Sequence, residues 1–205
     1  MPAAMLRRMT EDDFWTLVAA SGTRPGDRQA REDWLGRRLL ELPADAVAAF
    51  QARLEAAVDA AYTWPLWDAA ARIEDGWCSD DGFVSFRLWL VARGRTVYET
   101  AVADPDTLAA LPELRALAGR RIEDWDDEEW PEWERLDRIA REVWNQTTGR
   151  DGEDFDAFYD AVDAADLVTG DAARARDPEG GEPSGRRGEL LPRLAALFPR
   201  PDGLD

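Results

Sequence analysis

The sequence predicts an all-α protein, a compact multi-helix domain around a central apolar helix at about residues 83–93. Apolar residues recur at helical spacing along most of the chain, and no stretch alternates with period two for long enough to indicate a sheet. Hydrophobic residues make up 45% of the 205 residues and charged residues 33%, the balance of a globular protein with a real core. We therefore expect one helical domain over residues 9–168.

Capping residues divide the first part of the chain into helices. Thr10 followed by Asp13 forms a capping-box pattern that begins the first helix, and Asp27 is placed to cap the second. The third helix carries the cleanest apolar stripe in the chain, formed by Val47, Phe50, Leu54, Ala57, Val58 and Ala61. A short helix over residues 64–74 begins at Pro65, because proline suits the first helical turn.

Residues 83–93 are apolar almost all round, which is typical of a helix buried in the middle of a domain. The apolar residues are Phe83, Val84, Phe86, Leu88, Trp89, Leu90 and Val91. A short apolar run of this kind also fits a buried strand over residues 84–91, and helix is the interpretation favoured here.

The second half repeats the helical pattern. A helix over residues 96–103 ends before Asp104 and Pro105, and a helical turn follows around Leu108. After an acidic stretch, a helix beginning just after Pro131 aligns Trp133, Leu136, Ala140, Val143 and Trp144 and stops at Gly149. A last amphipathic helix of the domain carries Phe155, Phe158, Tyr159 and Val162.

The C-terminal part has a different composition. Residues 169–189 are rich in Gly, Pro, Glu and Arg, which predicts a disordered linker. The tail, residues 190–205, contains an apolar segment at 190–198. That segment reads either as a short docking helix or as a motif that waits for a partner.

Charge and composition exclude several classes of function. A net charge of −18 opposes binding to nucleic acid and to anionic membrane surfaces. No apolar run is long enough to span a bilayer and no signal peptide is recognisable, so we expect no membrane partner. The single cysteine, Cys78, fits a reducing cytoplasm, and its acidic neighbours favour a small buried side chain over a reactive thiolate.

The chain contains no histidine and no lysine, so catalysis by Ser-His-Asp, Cys-His, Schiff-base or P-loop chemistry is excluded. Acid–base chemistry would need carboxylates, tyrosines or the thiol. The acidic residues within 124–129 lack the ligand spacing of a calcium loop and are interpreted as a solvated face. The sequence therefore indicates no cofactor and no metal, and a non-catalytic protein is favoured over an enzyme.

One segment resembles a known family. The residues Gly76-Trp77-Cys78-Ser79-Asp80-Asp81-Gly82-Phe83 are followed by Phe86-Arg87 and Trp89-Leu90, with Tyr62-Thr63-Trp64 upstream and Ala103-Asp104-Pro105-Asp106 downstream. This pattern is similar to domain of unknown function 4240, a bacterial family common in actinomycetes, and the similarity covers about Met9 to Gly149. The resemblance implies no function, because the family has none assigned.

The same segment holds the candidate site. Ser79, Asp80 and Asp81 are suited to cap the central helix, and Arg87 interrupts its apolar surface. Arg87 either extends its charge to solvent or pairs with Asp80 or Asp81. The chain is rich in tryptophan, with ten residues, and three of them cluster here; they are either core or the wall of a cleft. The candidate ligand-binding residues are Trp64, Trp67, Trp77, Asp80, Asp81 and Arg87.

Three functions remain open. The first is a non-catalytic binding or adaptor domain that recognises a protein or a small molecule through the aromatic region beside the Ser-Asp-Asp-Gly loop. The second is a carboxylate-dependent, hydrolase-type enzyme with Asp80 or Asp81 as base and Arg87 as electrostatic stabiliser. The third is an acidic mimic of nucleic acid, which would need its negative charges in duplex-like rows.

Overall fold

The computed structural model describes residues 9–150, 155–169 and 191–199, and within these ranges it contains helices and no strand. The all-α prediction is confirmed. In chain order the helices are α1 (Glu11–Gly22), α2 (Arg28–Leu40), α3 (Ala44–Ala60), α4 (Trp64–Ile73), α5 (Asp80–Ala92), α6 (Arg95–Ala103), α7 (Pro112–Leu117), α8 (Leu136–Thr148), α9 (Phe155–Thr169) and α10 (Pro192–Leu197). Two 3₁₀ turns lie at Pro105–Ala110 and Ile122–Asp124.

Local capping chemistry sets the helix ends as the sequence predicts. The Thr10 hydroxyl accepts a hydrogen bond from the Asp13 backbone N–H (3.1 Å), and the Asp13 carboxylate accepts one from the Thr10 N–H (3.3 Å), which completes the capping box. Asp27 accepts from the Ala30 N–H at 2.8 Å and begins α2. Gly149 ends α8 in the left-handed conformation, with φ of 68° and ψ of 24°.

Helix α5 lies at the centre of the fold, as predicted for residues 83–93, and begins three residues earlier than the apolar run. Its side chains are buried from Ser85 to Ala92, and Phe83 is also inaccessible to solvent. The helix packs against α1, α3, α4 and α6. Beyond its first turn only Val84 is exposed, at 38%, and this nearly complete burial explains why the sequence of α5 shows no polar face.

Helix α3 forms a second centre. It packs most extensively against α9 and α8 and also touches α1 and α5. Phe50, Leu54 and Gln51 are buried along it. The domain therefore has two inner helices, α3 and α5, which touch each other and share α1 as a neighbour.

The helix expected just after Pro131 begins only at Leu136. Residues before it are held by contacts with other elements instead of by helical hydrogen bonds. The backbone N–H of Trp133 donates to the Ser85 carbonyl (3.0 Å), and its indole Nε1–H donates to the buried Glu32 carboxylate (2.9 Å). Arg135 pairs with the same carboxylate at 3.0 Å. These contacts fix α8 against α2 and α5.

The structure describes only part of the C-terminal region for which predictions were made. Helix α9 continues to Thr169, the first residue of the predicted linker, and the remainder of that linker lies outside the described residues. Helix α10 packs against the Pro105–Ala110 turn and α4, with Leu191 and Leu194 buried.

Across residues 9–150, 155–169 and 191–199, each helix lacks the length or the apolar character needed to span a membrane.

Candidate functional site

Residues 74–79 connect α4 to α5, and together with the first turn of α5, residues 80–82, they form a tightly folded segment, called here the 74–82 loop. Its first turn needs two residues of positive φ, Asp75 at 59° and Gly76 at 100°, and the Gly76 N–H donates to the Ala71 carbonyl at 2.6 Å. Its last turn is the predicted cap: the Ser79 hydroxyl accepts from the Gly82 N–H at 3.0 Å. Both ends of the loop are therefore fixed.

Trp77 lies at the outer side of this loop with 74% of its surface exposed. In the described part of the chain no other large hydrophobic side chain exceeds 45% exposure. Isolated surface hydrophobic residues are common, but an almost free indole on a fixed loop is unusual for a residue that prefers partial burial.

Trp64 and Trp67 have a different position, inside a column of aromatic rings. Trp67 stacks on Trp64 (5.5 Å between ring centroids) and on Phe83 (4.8 Å), and the column continues along α5 to Phe86 and Trp89. The Trp67 indole N–H donates to the Cys78 carbonyl at 3.0 Å. These two tryptophans therefore support the loop from below, while Trp77 faces solvent.

Arg87 is buried, with 6% of its surface exposed. Its guanidinium donates to the carbonyls of Val58 (2.8 Å) and Phe83 (3.3 Å) and lies 4.7 Å from the centroid of the Tyr62 ring. Burial lowers the pKa of Arg87, and the charge of Asp59 opposes that shift. The side chain fastens α5 to the end of α3.

Asp80 and Asp81 are exposed in the first turn of α5, where carboxylates complement the helix dipole. Neither forms a hydrogen bond or ion pair with Arg87 among the described contacts. The structure therefore keeps Trp77, Asp80 and Asp81 on one exposed surface, and places Arg87 below them with the stacked rings.

Glu74, at the end of α4, is a titratable group that the sequence interpretation missed. Burial raises its pKa to about 7; a hydrogen bond from the Cys78 thiol opposes this shift, and the Glu132 carboxylate adds to it. Cys78 is buried, as predicted, and its burial together with the Glu74 charge raises the pKa of the thiol, which disfavours the thiolate form. The sequence gives little indication that Glu74 has an unusual pKa, because Glu132 is distant along the chain and comes close to Glu74 only in the fold.

The chain is similar to a known protein family. Residues 9–146 match the family described as protein of unknown function, DUF4240. The chain belongs to this family. No curated protein and no solved structure matches it.

The match places the 74–82 loop, the aromatic column and Arg87 inside the DUF4240 region and leaves α9 and α10 outside it. Since the family description assigns no function, any role must be argued from the geometry of these residues.

The acidic stretch of the DUF4240 region is engaged in ion pairs. Glu129 binds Arg120 through two hydrogen bonds of 2.6 and 2.7 Å and accepts from the Asp126 N–H, and these contacts lower its pKa to about 2. Within the described residues no group of three or more His, Cys, Asp or Glu side chains could hold a metal ion.

The described part of the chain also contains two cavities that Trp77 does not line. One, of about 370 Å³, lies between the end of α4, Asp75 of the 74–82 loop, the 119–125 segment and Phe198–Pro199. The other, of about 580 Å³, lies between α1, α3 and α9 and is mainly apolar. Neither is lined by the predicted site residues.

Proposed function

We propose that this protein is a non-catalytic binding domain that recognises a basic protein surface through Trp77 and the carboxylates around it. The observation that carries the proposal is the 74% exposure of Trp77 on a loop whose ends are both fixed. Tryptophan is enriched among the few residues that supply most of the free energy of protein–protein binding.

The contacts that hold the 74–82 loop in place favour binding of a partner without rearrangement of the loop. Trp67 holds the Cys78 carbonyl, and Ser79 fixes the start of α5. A side chain that is already presented in one place loses little conformational entropy when a partner covers it.

The neighbouring charges define the partner. Asp75, Asp80 and Asp81 are all exposed near Trp77, and the whole chain carries a net charge of −18. A partner with an apolar pocket ringed by Arg or Lys is electrostatically complementary, and long-range attraction would speed its association. A small molecule is less suited, because such ligands occupy concave sites and Trp77 projects into solvent.

The test uses the full chain as bait in a bacterial lysate, followed by titration of each captured, purified protein by calorimetry. Trp77→Ala should weaken binding about 30-fold, which corresponds to about 2 kcal/mol for an aromatic anchor. Tyr159→Ala, which removes an aromatic side chain of 39% exposure on α9, is the matched control and should have no effect.

Raising the salt concentration should also weaken binding, because exposed charges are screened. Equal affinity of wild type and Trp77→Ala for every captured protein would contradict the proposal.

A carboxylate-dependent enzyme is the second candidate, now with Glu74 in place of Asp80 or Asp81 as base. The observation that favours it is the Glu74 pKa of about 7 beside Cys78 and Glu132. Activity against a hydrolase panel that Glu74→Gln abolishes and Asp81→Asn retains would support this reading.

A cytoplasmic location, an actinomycete origin and the absence of nucleic-acid or membrane partners are part of the same proposal. They rest on the single cysteine, the family resemblance and the negative charge. The mimicry of nucleic acid is disfavoured here, because the acidic residues around Arg120 and Arg135 are paired with arginine.

A further inference from the structure

The carboxylate of Asp106, in the Pro105–Ala110 turn, is almost fully buried at 3% exposure, although it carries a charge. Its oxygens accept from the backbone N–H of Leu194 (2.8 Å), the backbone N–H of Arg193 (3.0 Å) and the Arg193 Nε (2.9 Å). Burial alone would raise the pKa of Asp106, but these donors outweigh it and hold the pKa below its usual value.

All of these donors come from the C-terminal segment, residues 191–198, which lies outside the family match. Arg193 reaches a second carboxylate as well, because its Nη2 donates to Asp104 at 2.7 Å. The domain thus offers a pair of carboxylates, and the segment supplies one guanidinium and the first N–H groups of α10. Without the segment, the Asp106 carboxylate would lose these three donors.

Apolar contacts complete the site. Leu191 and Leu194 are buried beside Asp106, at 3% and 0% exposure, where α10 meets α4 and the 3₁₀ turn. Phe198 and Pro199 line the 370 Å³ cavity together with Arg72 and Trp125. The contacts therefore involve the arginine and the two leucines of a Leu-Pro-Arg-Leu sequence, held by two carboxylates and by apolar neighbours.

The segment itself is small. Helix α10 has six residues, too few for a helix that is stable alone, so its conformation depends on the site that holds it. The Arg193 side chain remains 55% exposed even when docked. A helical turn held by one arginine and two leucines has the features of a peptide ligand on a domain.

We propose that Asp104, Asp106 and the apolar sockets beside them form a peptide-binding site, of which residues 191–198 are a tethered and exchangeable occupant. The partner that fits this site is a protein segment with the pattern Leu-Pro-Arg-Leu at the start of a short helix. Release of the cis segment would free the site for such a segment and would open the cavity beside Phe198. The proposal is independent of Trp77.

The test measures fluorescence anisotropy of a labelled synthetic peptide with the sequence of residues 190–199, titrated with the full chain. In the wild type, the cis segment competes intramolecularly and should keep binding weak. Leu194→Asp places a charge in a fully buried socket and should dislodge the cis segment, so that peptide affinity rises about ten-fold or more.

Adding Asp106→Asn to Leu194→Asp should lower that affinity about ten-fold or more, because the carboxylate is the anchor of the site. A peptide with Gln at the arginine position should bind equally poorly. Trp77→Ala should leave peptide binding unchanged, which separates this site from the 74–82 loop.

Circular dichroism shows whether each variant keeps its helices, and Arg193→Ala provides a milder release that places no charge in the core. The proposal is wrong if neither Leu194→Asp nor Arg193→Ala binds the peptide more tightly than wild type. It is equally wrong if both unfold the domain, since residues 191–198 would then be a fixed part of the core.

Discussion

At the residue scale, Arg87 shows how a charged side chain can be structural. Its guanidinium satisfies two backbone carbonyls and lies against aromatic rings, so its removal would leave the Val58 carbonyl without that donor and a gap between Tyr62 and Phe83. We expect Arg87→Ala to lower the free energy of unfolding by about 2–4 kcal/mol.

Urea denaturation followed by tryptophan fluorescence measures this loss. Arg37→Ala, at an exposed position of α2, is the control and should change stability by less than about 0.5 kcal/mol. If Arg87→Ala were as stable as Arg37→Ala, the structural role of the buried guanidinium would be refuted.

Glu74 gives a prediction about pH. Its pKa rises from an ordinary 4.5 to about 7 on folding, so the folded state binds the proton more tightly. Its contribution to stability is therefore largest below pH 4.5, declines as the pH rises towards 7, and is lost above that value. Glu74→Gln removes this dependence, and its stability relative to wild type should improve by about 3 kcal/mol between pH 4.5 and pH 8.

The measurement is urea unfolding of both proteins at the two pH values. The difference between them cancels the titration of all other groups. Asp127→Asn, an exposed carboxyl, should show no comparable change. A pH-independent difference between Glu74→Gln and wild type would show that Glu74 has an ordinary pKa.

At the element scale, two helical glycines differ in the space around them, so replacing each with alanine tests a different property. Gly22 tests close packing between helices, and Gly36 tests helix propensity. A Cβ on Gly22, the last residue of α1, would lie 2.1 Å from the Ala92 carbonyl oxygen at the end of α5. A Cβ on Gly36, inside α2, would meet its nearest neighbour, Ile139, at 3.8 Å.

We expect Gly22→Ala to destabilise the protein by about 2 kcal/mol or more, because backbone atoms must move. Gly36→Ala should stabilise it by about 0.5–1 kcal/mol, because alanine favours a helix. Thermal unfolding followed by circular dichroism measures both, and a Gly22→Ala variant as stable as wild type would contradict the packing of α1 on α5.

The start of α8 shows the limit of periodicity at this scale. The apolar stripe is continuous from Trp133, yet the helix begins at Leu136, because Trp133 donates its backbone N–H to α5 and its indole N–H to Glu32 in α2. The apolar spacing of the sequence cannot show that Trp133, the first residue of the stripe, forms its hydrogen bonds with two other helices instead of within α8.

At the scale of the whole molecule, the structure divides the site residues predicted from the 76–83 motif into layers. Trp77, Asp80 and Asp81 lie outside, Trp64 and Trp67 form the layer that supports them, and Arg87 lies inside. These six residues could be predicted to lie near one another, because they flank the start of one helix. Their positions along the chain did not indicate which of their side chains face solvent.

The sequence alone determined most of the helices, though not α7 or the start of α8, because capping pairs, prolines and apolar repeats act over a few residues and are visible in any short window. It also determined that α5 is buried, because a helix without a polar face has no stable place at the surface. Only the tertiary structure decided the pKa of Glu74, the partners of Arg87 and the attachment of residues 191–198 to Asp106. Each depends on burial and on groups from separate parts of the chain, up to 88 residues apart in the case of Leu194 and Asp106, and those distances are set by packing.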